Sequence, residues 1–215
     1  AVITDGGVVN GSSLTISNNI IDNCGFGFFS GEETVAGGSS VTIEDNEIYN
    51  CANGIYFDDV MGGSQVNITG NYIYDNQIGI KFSAVVGGSE LTIRDNEVLG
   101  NFQGIYIDNL AGESTITIED NVVADNYYGI DFYDVDESTV TIAGNTIGAG
   151  YSERFGVVHG NGGGGIYFYN DDTVSNSTIT IGGDTRAEGN SQHRRRPHHP
   201  GHPTHSRYCF RGKDR

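Results

Sequence analysis

An Asn recurs at a near-constant interval along most of the chain: Asn19, Asn46, Asn71, Asn96, Asn121 and Asn145, with spacings of 27, 25, 25, 25 and 24 residues. In five copies a Gly follows it by eight residues, at Gly27, Gly54, Gly79, Gly104 and Gly129. Each copy carries three short alternating runs of the kind Val-Thr-Ile, Asn-x-Ile and Gly-Ile-x-Phe. Alternation of that length, rich in branched residues, predicts strands, and no stretch has helical periodicity. Three strands and three turns make one coil of a solenoid. A single coil cannot bury its apolar side alone, so coils must stack. The chain is therefore predicted to be all-β, a parallel solenoid of about seven coils of about 25 residues with three short strands per coil.

Stacking places equivalent residues in columns about 4.8 Å apart. Ile16, Ile43, Ile68, Ile93, Ile118, Ile142 and Ile181 form one inward column, and Phe57, Phe82, Ile107, Phe132 and Phe168 another. The marker Asn is best placed inward at a turn, where each amide can bond its neighbours above and below. Asn76, Asn101 and Asn126 form a second Asn column, and Cys24 and Cys51 take the same position in the first two coils. These two cysteines read either as buried thiols continuing the column or as a disulfide between adjacent coils, for which the distance is suitable.

Composition divides the chain in two. Residues 1–192 hold 27 acids and four cations, Lys81, Arg94, Arg154 and Arg186, so 4 − 27 = −23. Residues 193–215 hold seven cations and Asp214, so 7 − 1 = +6, with five of the six His and all three Pro. The first part is the predicted solenoid. The basic tail is predicted to be disordered; it reads as a metal-binding His tract, a basic arm, or an out-of-frame extension, the last being preferred because the repeat stops in mid-rung. Cys209 lies in this tail and is given no role. A net charge of −17 excludes nucleic acid as the default partner. No apolar run approaches the roughly 20 residues of a membrane span.

The Asn-x-Ile-x-x-Asn-x-x-Gly-Ile pattern, as in Asn71-Tyr72-Ile73 through Gly79-Ile80, resembles the right-handed parallel β-helix repeat over about residues 12–190. Pectate lyases, polygalacturonases, mannuronan epimerases, the β-helix accessory protein of nitrous oxide reductase maturation and many surface proteins share that fold. The resemblance implies the pectin-lyase type of fold, but one fold hosts many chemistries. Incomplete coils at both ends imply a fragment of a longer solenoid, with further coils or domains in a parent chain. The Asp-pair, His and Arg-x-Lys pattern of polygalacturonases is missing. So is the Tyr-Gly-Phe-Asp-Pro-His run of mannuronan epimerases, which Tyr128-Gly129-Ile130-Asp131 approaches only at its start.

In enzymes similar to this fold, sugar chains lie across an outer sheet face. The Gly-Ile-x-Phe strands give outward columns of Tyr56, Lys81, Tyr106, Asp131 and Tyr167, then Asp58, Ser83, Asp108, Tyr133 and Tyr169. Tyrosine rings stack on pyranoses while their hydroxyls bond sugar hydroxyls. As a lyase-like site, Lys81 would be the base, and Asp58, Asp108 and Asp131 would bind Ca²⁺ or neutralise uronates. A solvated acidic face is the plainer alternative. A second candidate is an insertion between Asn145 and Gly165 that carries Tyr151, Glu153, Arg154 and His159. A third is the Thr column Thr15, Thr42, Asn67, Thr92, Thr117, Thr141 and Thr180. A flat Thr array resembles ice-binding surfaces, but Asn67, Gln65 and Glu90 interrupt it. The preferred reading is an extracellular or cell-surface module, non-catalytic, that contacts polysaccharide or spaces other domains. It requires no cofactor, with Ca²⁺ the one ion the acidic face invites. A Ca²⁺-assisted polysaccharide lyase or uronan epimerase fragment is the alternative.

Overall fold

The computed structural model describes residues 1–4, 7–31, 35–152, 156–169, 174–182 and 191–192. Within them the chain winds as a parallel solenoid with three strands per coil and no helix. Three sheets run along the axis, and each strand pairs with its equivalent one coil away. The first sheet contains the Thr-bearing strands, such as Gln65–Thr69, Glu90–Arg94 and Thr115–Glu119. The second contains the shortest strands, such as Tyr72–Tyr74, Glu97–Leu99 and Val122–Ala124. The third contains the longest, Asn53–Val60, Ile78–Val85, Gln103–Leu110 and Tyr128–Asp136. The predicted columns hold in register: Ile93 lies between Ile68 and Ile118, and Phe82 between Phe57 and Ile107. All of these are fully buried.

Each coil turns three times, and each turn leaves backbone N–H groups that no strand partner can take. Buried groups of this kind must be paired. At the first corner the predicted Asn column does so. The Asn71 backbone N–H and Nδ2 both donate to Asn96 Oδ1, at 2.9 and 3.0 Å. Asn96 Nδ2 in turn donates to the Ile68 carbonyl, the Arg94 carbonyl and Asn121 Oδ1. The same pattern runs from Asn19 to Asn145. At the second corner Cys51, Asn76 and Asn101 donate their backbone N–H groups to Asn76, Asn101 and Asn126 respectively. Asn161, inside the insertion, extends that column by accepting from the Asn126 N–H at 3.0 Å. The third corner uses serine: Ser39, Ser64, Ser89 and Ser114 are buried, and the N–H of Ser39 donates to Ser64 Oγ and that of Ser89 to Ser114 Oγ. The sequence reading found the two Asn columns and missed this one.

Except at Asn161, the residue before each ladder side chain turns the chain with positive φ. Asp45, Asp95 and Asp120 do so before Asn46, Asn96 and Asn121, and Asp75 and Asp125 before Asn76 and Asn126. Asn and Asp enter this left-handed region more readily than other side chains. The conserved spacing of the repeat glycine has a different cause. A Cβ on Gly79 would lie 2.6 Å from the Gly104 carbonyl oxygen, so only glycine lets successive coils close to strand distance there.

Asn96→Ala removes five hydrogen bonds and strands the buried Asn71 N–H, while Asn121 Oδ1 keeps only the backbone donor of residue 96. A loss of roughly 2–4 kcal/mol is expected by chemical denaturation. Thr92→Ala, on the outer face of the same coil, should change stability by less than about 0.5 kcal/mol.

Candidate functional site

The outer face of the third sheet is aromatic over most of its length. Register stacks Phe29, Tyr56, Lys81, Tyr106, Asp131 and Tyr167 in one column, five steps and so about 24 Å long. The predicted column is therefore assembled, and Phe29 and Phe26 extend it beyond the residues the sequence reading named. Phe29 lies 5.3 Å and Phe26 5.8 Å from the Tyr56 ring. At the other end Tyr167 and Tyr169 lie 4.8 Å apart, and Tyr128 contacts both. Phe102 stacks on Tyr127 at 5.3 Å beside Tyr128, and both are about half exposed. Tyr133 is also exposed and contacts Tyr169. Phe102, Tyr127 and Tyr128 were missed by sequence reasoning. Phe102 and Tyr127 follow ladder Asn residues at a turn, and strand alternation does not assign a direction there.

Lys81 sits between rings rather than among carboxylates. Its Nζ is 4.8 Å from the Tyr56 centroid and 5.8 Å from that of Tyr106. Such cation–π contacts hold an ammonium in place without neutralising it. Among the described residues Lys81 forms no ion pair. Tyr56 donates its phenol to Asp58 Oδ1 at 3.1 Å and shares a 3.0 Å bond with Ser83 Oγ. Asp58 is thus engaged by a tyrosine. Among the described residues no three His, Cys, Asp or Glu side chains gather where a metal ion could sit, so Asp58, Asp108 and Asp131 are not brought to one point.

Asp131 is the unusual group on this face. The pleat directs it outward, yet it is only 1% exposed. Its Oδ2 accepts from Gln103 Nε2 at 3.3 Å and from the Tyr169 hydroxyl at 3.5 Å, while Oδ1 is buried with no partner. Burial pushes its carboxyl up to about 7, against the pull of these two hydrogen bonds. The phenols around it shift the same way. Tyr106 is raised to about 12 by burial, with the Asp108 and Asp131 charges adding, and Tyr128 and Tyr169 are raised chiefly by burial. At neutral pH the tyrosines remain protonated and can donate.

The insertion does not join this face. Gly150–Ser152 and Gly156–Val158 form an antiparallel hairpin. Val158 packs against Leu99 and Ala124, outward residues of the second sheet, and the Ser152 hydroxyl donates to the Glu97 carboxylate. His159 is exposed, and its N–H donates to Asp125 Oδ1 at 2.8 Å. Tyr151 belongs to the hairpin's first strand; Glu153 and Arg154 lie outside the described residues. The Thr column is in register on the first sheet, interrupted at Asn67, with Gln65 bonding Glu90 beside it. The tail, 193–215, lies outside the described residues.

A family model described as a right handed beta helix region matches residues 8–179, and the chain belongs to that family. No curated protein and no solved structure matches it.

Because burial raises Asp131 in the folded state, the folded protein holds a proton that the unfolded chain releases between about pH 4 and 7. This contribution to stability is complete below about pH 4 and lost as pH rises through 7. Asp131→Asn should therefore be stabilising at pH 8, by up to about 4 kcal/mol, and near neutral at pH 4. Thermal or chemical unfolding at the two pH values measures the difference.

Proposed function

We propose that this β-helix is a non-catalytic, extracellular or cell-surface module that contacts polysaccharide along the third sheet. The observation that carries this reading is the partly exposed column from Phe29 to Tyr167, in which the rings of Phe29, Tyr56, Tyr106 and Tyr167 alternate with Lys81 and Asp131, with protonated phenols beside it. An extended glycan lying along the axis meets a ring or polar group at every coil. Rings cover pyranose faces, and phenol, Gln103 and Ser83 groups bond hydroxyls. The charge on this face favours a neutral glycan: Asp58 and Asp108 outnumber Lys81, so a polyuronate would need Ca²⁺ to bridge. Export agrees with the acidic composition of residues 1–192.

A second reading, a Ca²⁺-assisted uronan lyase or epimerase, draws on Asp131, whose proton affinity near neutrality suits acid–base work. Lys81 and Asp131 flank Tyr106, two coils and so about 10 Å apart.

Affinity electrophoresis in neutral glycans and polyuronates, with Ca²⁺ or chelator, separates these readings. Retardation by a neutral glycan is expected, weakened about three- to tenfold by Tyr56→Ala or Tyr106→Ala and unchanged by Thr92→Ala. Retardation by no glycan would leave a spacer. Growth of unsaturated-uronate absorbance that needs Ca²⁺ and vanishes in Lys81→Ala would establish the enzyme.

A further inference from the structure

The second-corner ladder changes chemistry at one end. Asn76, Asn101, Asn126 and Asn161 are tied coil to coil by carboxamides, but the two preceding positions are Cys51 and Cys24. The Cys51 backbone N–H still donates to Asn76 Oδ1. Below it, no carboxamide is available to accept from the Cys24 N–H. Two thiols at these positions forfeit the side-chain tie that Asn76, Asn101 and Asn126 make at this corner.

The geometry offers a replacement. Cys24 and Cys51 are flanked by paired residues of adjacent strands, Asp22 with Tyr49 and Phe26 with Asn53. Neighbouring strands lie about 4.8 Å apart, inside the roughly 4.4–6.8 Å Cα range of a disulfide. The two Sγ atoms are 2.7 Å apart and unjoined. Cys51 is buried and donates toward the Tyr49 carbonyl, while Cys24 is half-buried and reachable from solvent. Oxidation would need no backbone movement, only closure between sulfurs already in contact.

We propose that Cys24 and Cys51 are a redox site that closes to a disulfide by exchange with a small-molecule disulfide of the glutathione type, covalently tying the first two coils where the amide ladder is missing. The Cys24 thiolate attacks one sulfur of the external disulfide and expels one thiolate, which takes a proton. Cys51 then loses its proton to solvent and attacks Cys24 Sγ, expelling the second thiol. The two protein sulfurs are oxidised by two electrons in all, and the external disulfide is reduced to two thiols. Cys51 is the slow partner, since burial and the adjacent Cys24 push its thiol up to about 12. Contact at 2.7 Å compensates by making its attack intramolecular.

The test uses the full chain carrying Cys209→Ser, fully reduced, then exposed to oxidised glutathione. Peptide mass spectrometry should find residues 24 and 51 cross-linked with the loss of two hydrogens and no retained glutathione. Closing a loop of this size should raise the thermal midpoint by roughly 5–10 °C, reversed by reductant. Cys51→Ser should stop at a glutathione adduct on Cys24, and Cys24→Ser should not react. Two thiols that remain alkylatable while the fold is intact would overturn the proposal. A stable glutathione adduct on Cys24 in the chain with Cys51 present would do the same. Neither result depends on glycan binding, so this site and the sugar face stand or fall separately.

Discussion

The buried corner hydrogen bond is the constraint on which the rest depends. A strand ladder satisfies a straight backbone, but a solenoid bends three times per coil, and each bend turns N–H groups into a dry interior. The chain meets this with carboxamides at two corners and hydroxyls at the third, each reaching one coil along. That requirement sets the phase of each coil: coils of 24 to 27 residues keep the ladder because the length difference is taken up away from the corner, and each Asn still meets the next N–H. It also explains why one insertion is tolerated. The segment after Asn145 leaves the coil, makes a hairpin and returns with Asn161 in place to accept from Asn126.

The fold was legible because its signals are periodic. Inward Ile and Phe columns, the two Asn columns and the outward Tyr–Lys–Asp column all follow from spacing and alternation. The Ser ladder escaped because Ser after Gly-Gly is ordinary turn chemistry, and nothing in the residue type distinguishes an inward hydroxyl. Asn161 escaped because the insertion displaced it from the period. The hairpin's docking had a sequence trace: Leu99 and Ala124 are outward positions in a polar face, and apolar residues there ask for a cover.

Asp131 marks the limit of the same logic for the site. Alternation gives the direction in which a side chain leaves the sheet; it does not say what covers it. Gln103 from one coil and Tyr169 from another close over a carboxyl that would otherwise meet water. The site's electrostatics arise from this cover rather than from the column itself. Lys81 shows the converse: its neighbours in the column were legible, but its ammonium is held by rings and not by the acids two residues along.

In the first Asn column, from Asn46 to Asn145 each Oδ1 accepts from the coil before it, and from Asn19 to Asn121 each backbone N–H donates to the coil after it. The stack therefore has a sense, like a row of hooks and eyes. A further coil on one side must offer eyes and on the other side hooks, so solenoids of this kind can be extended head to tail but not joined end on with the same ends facing.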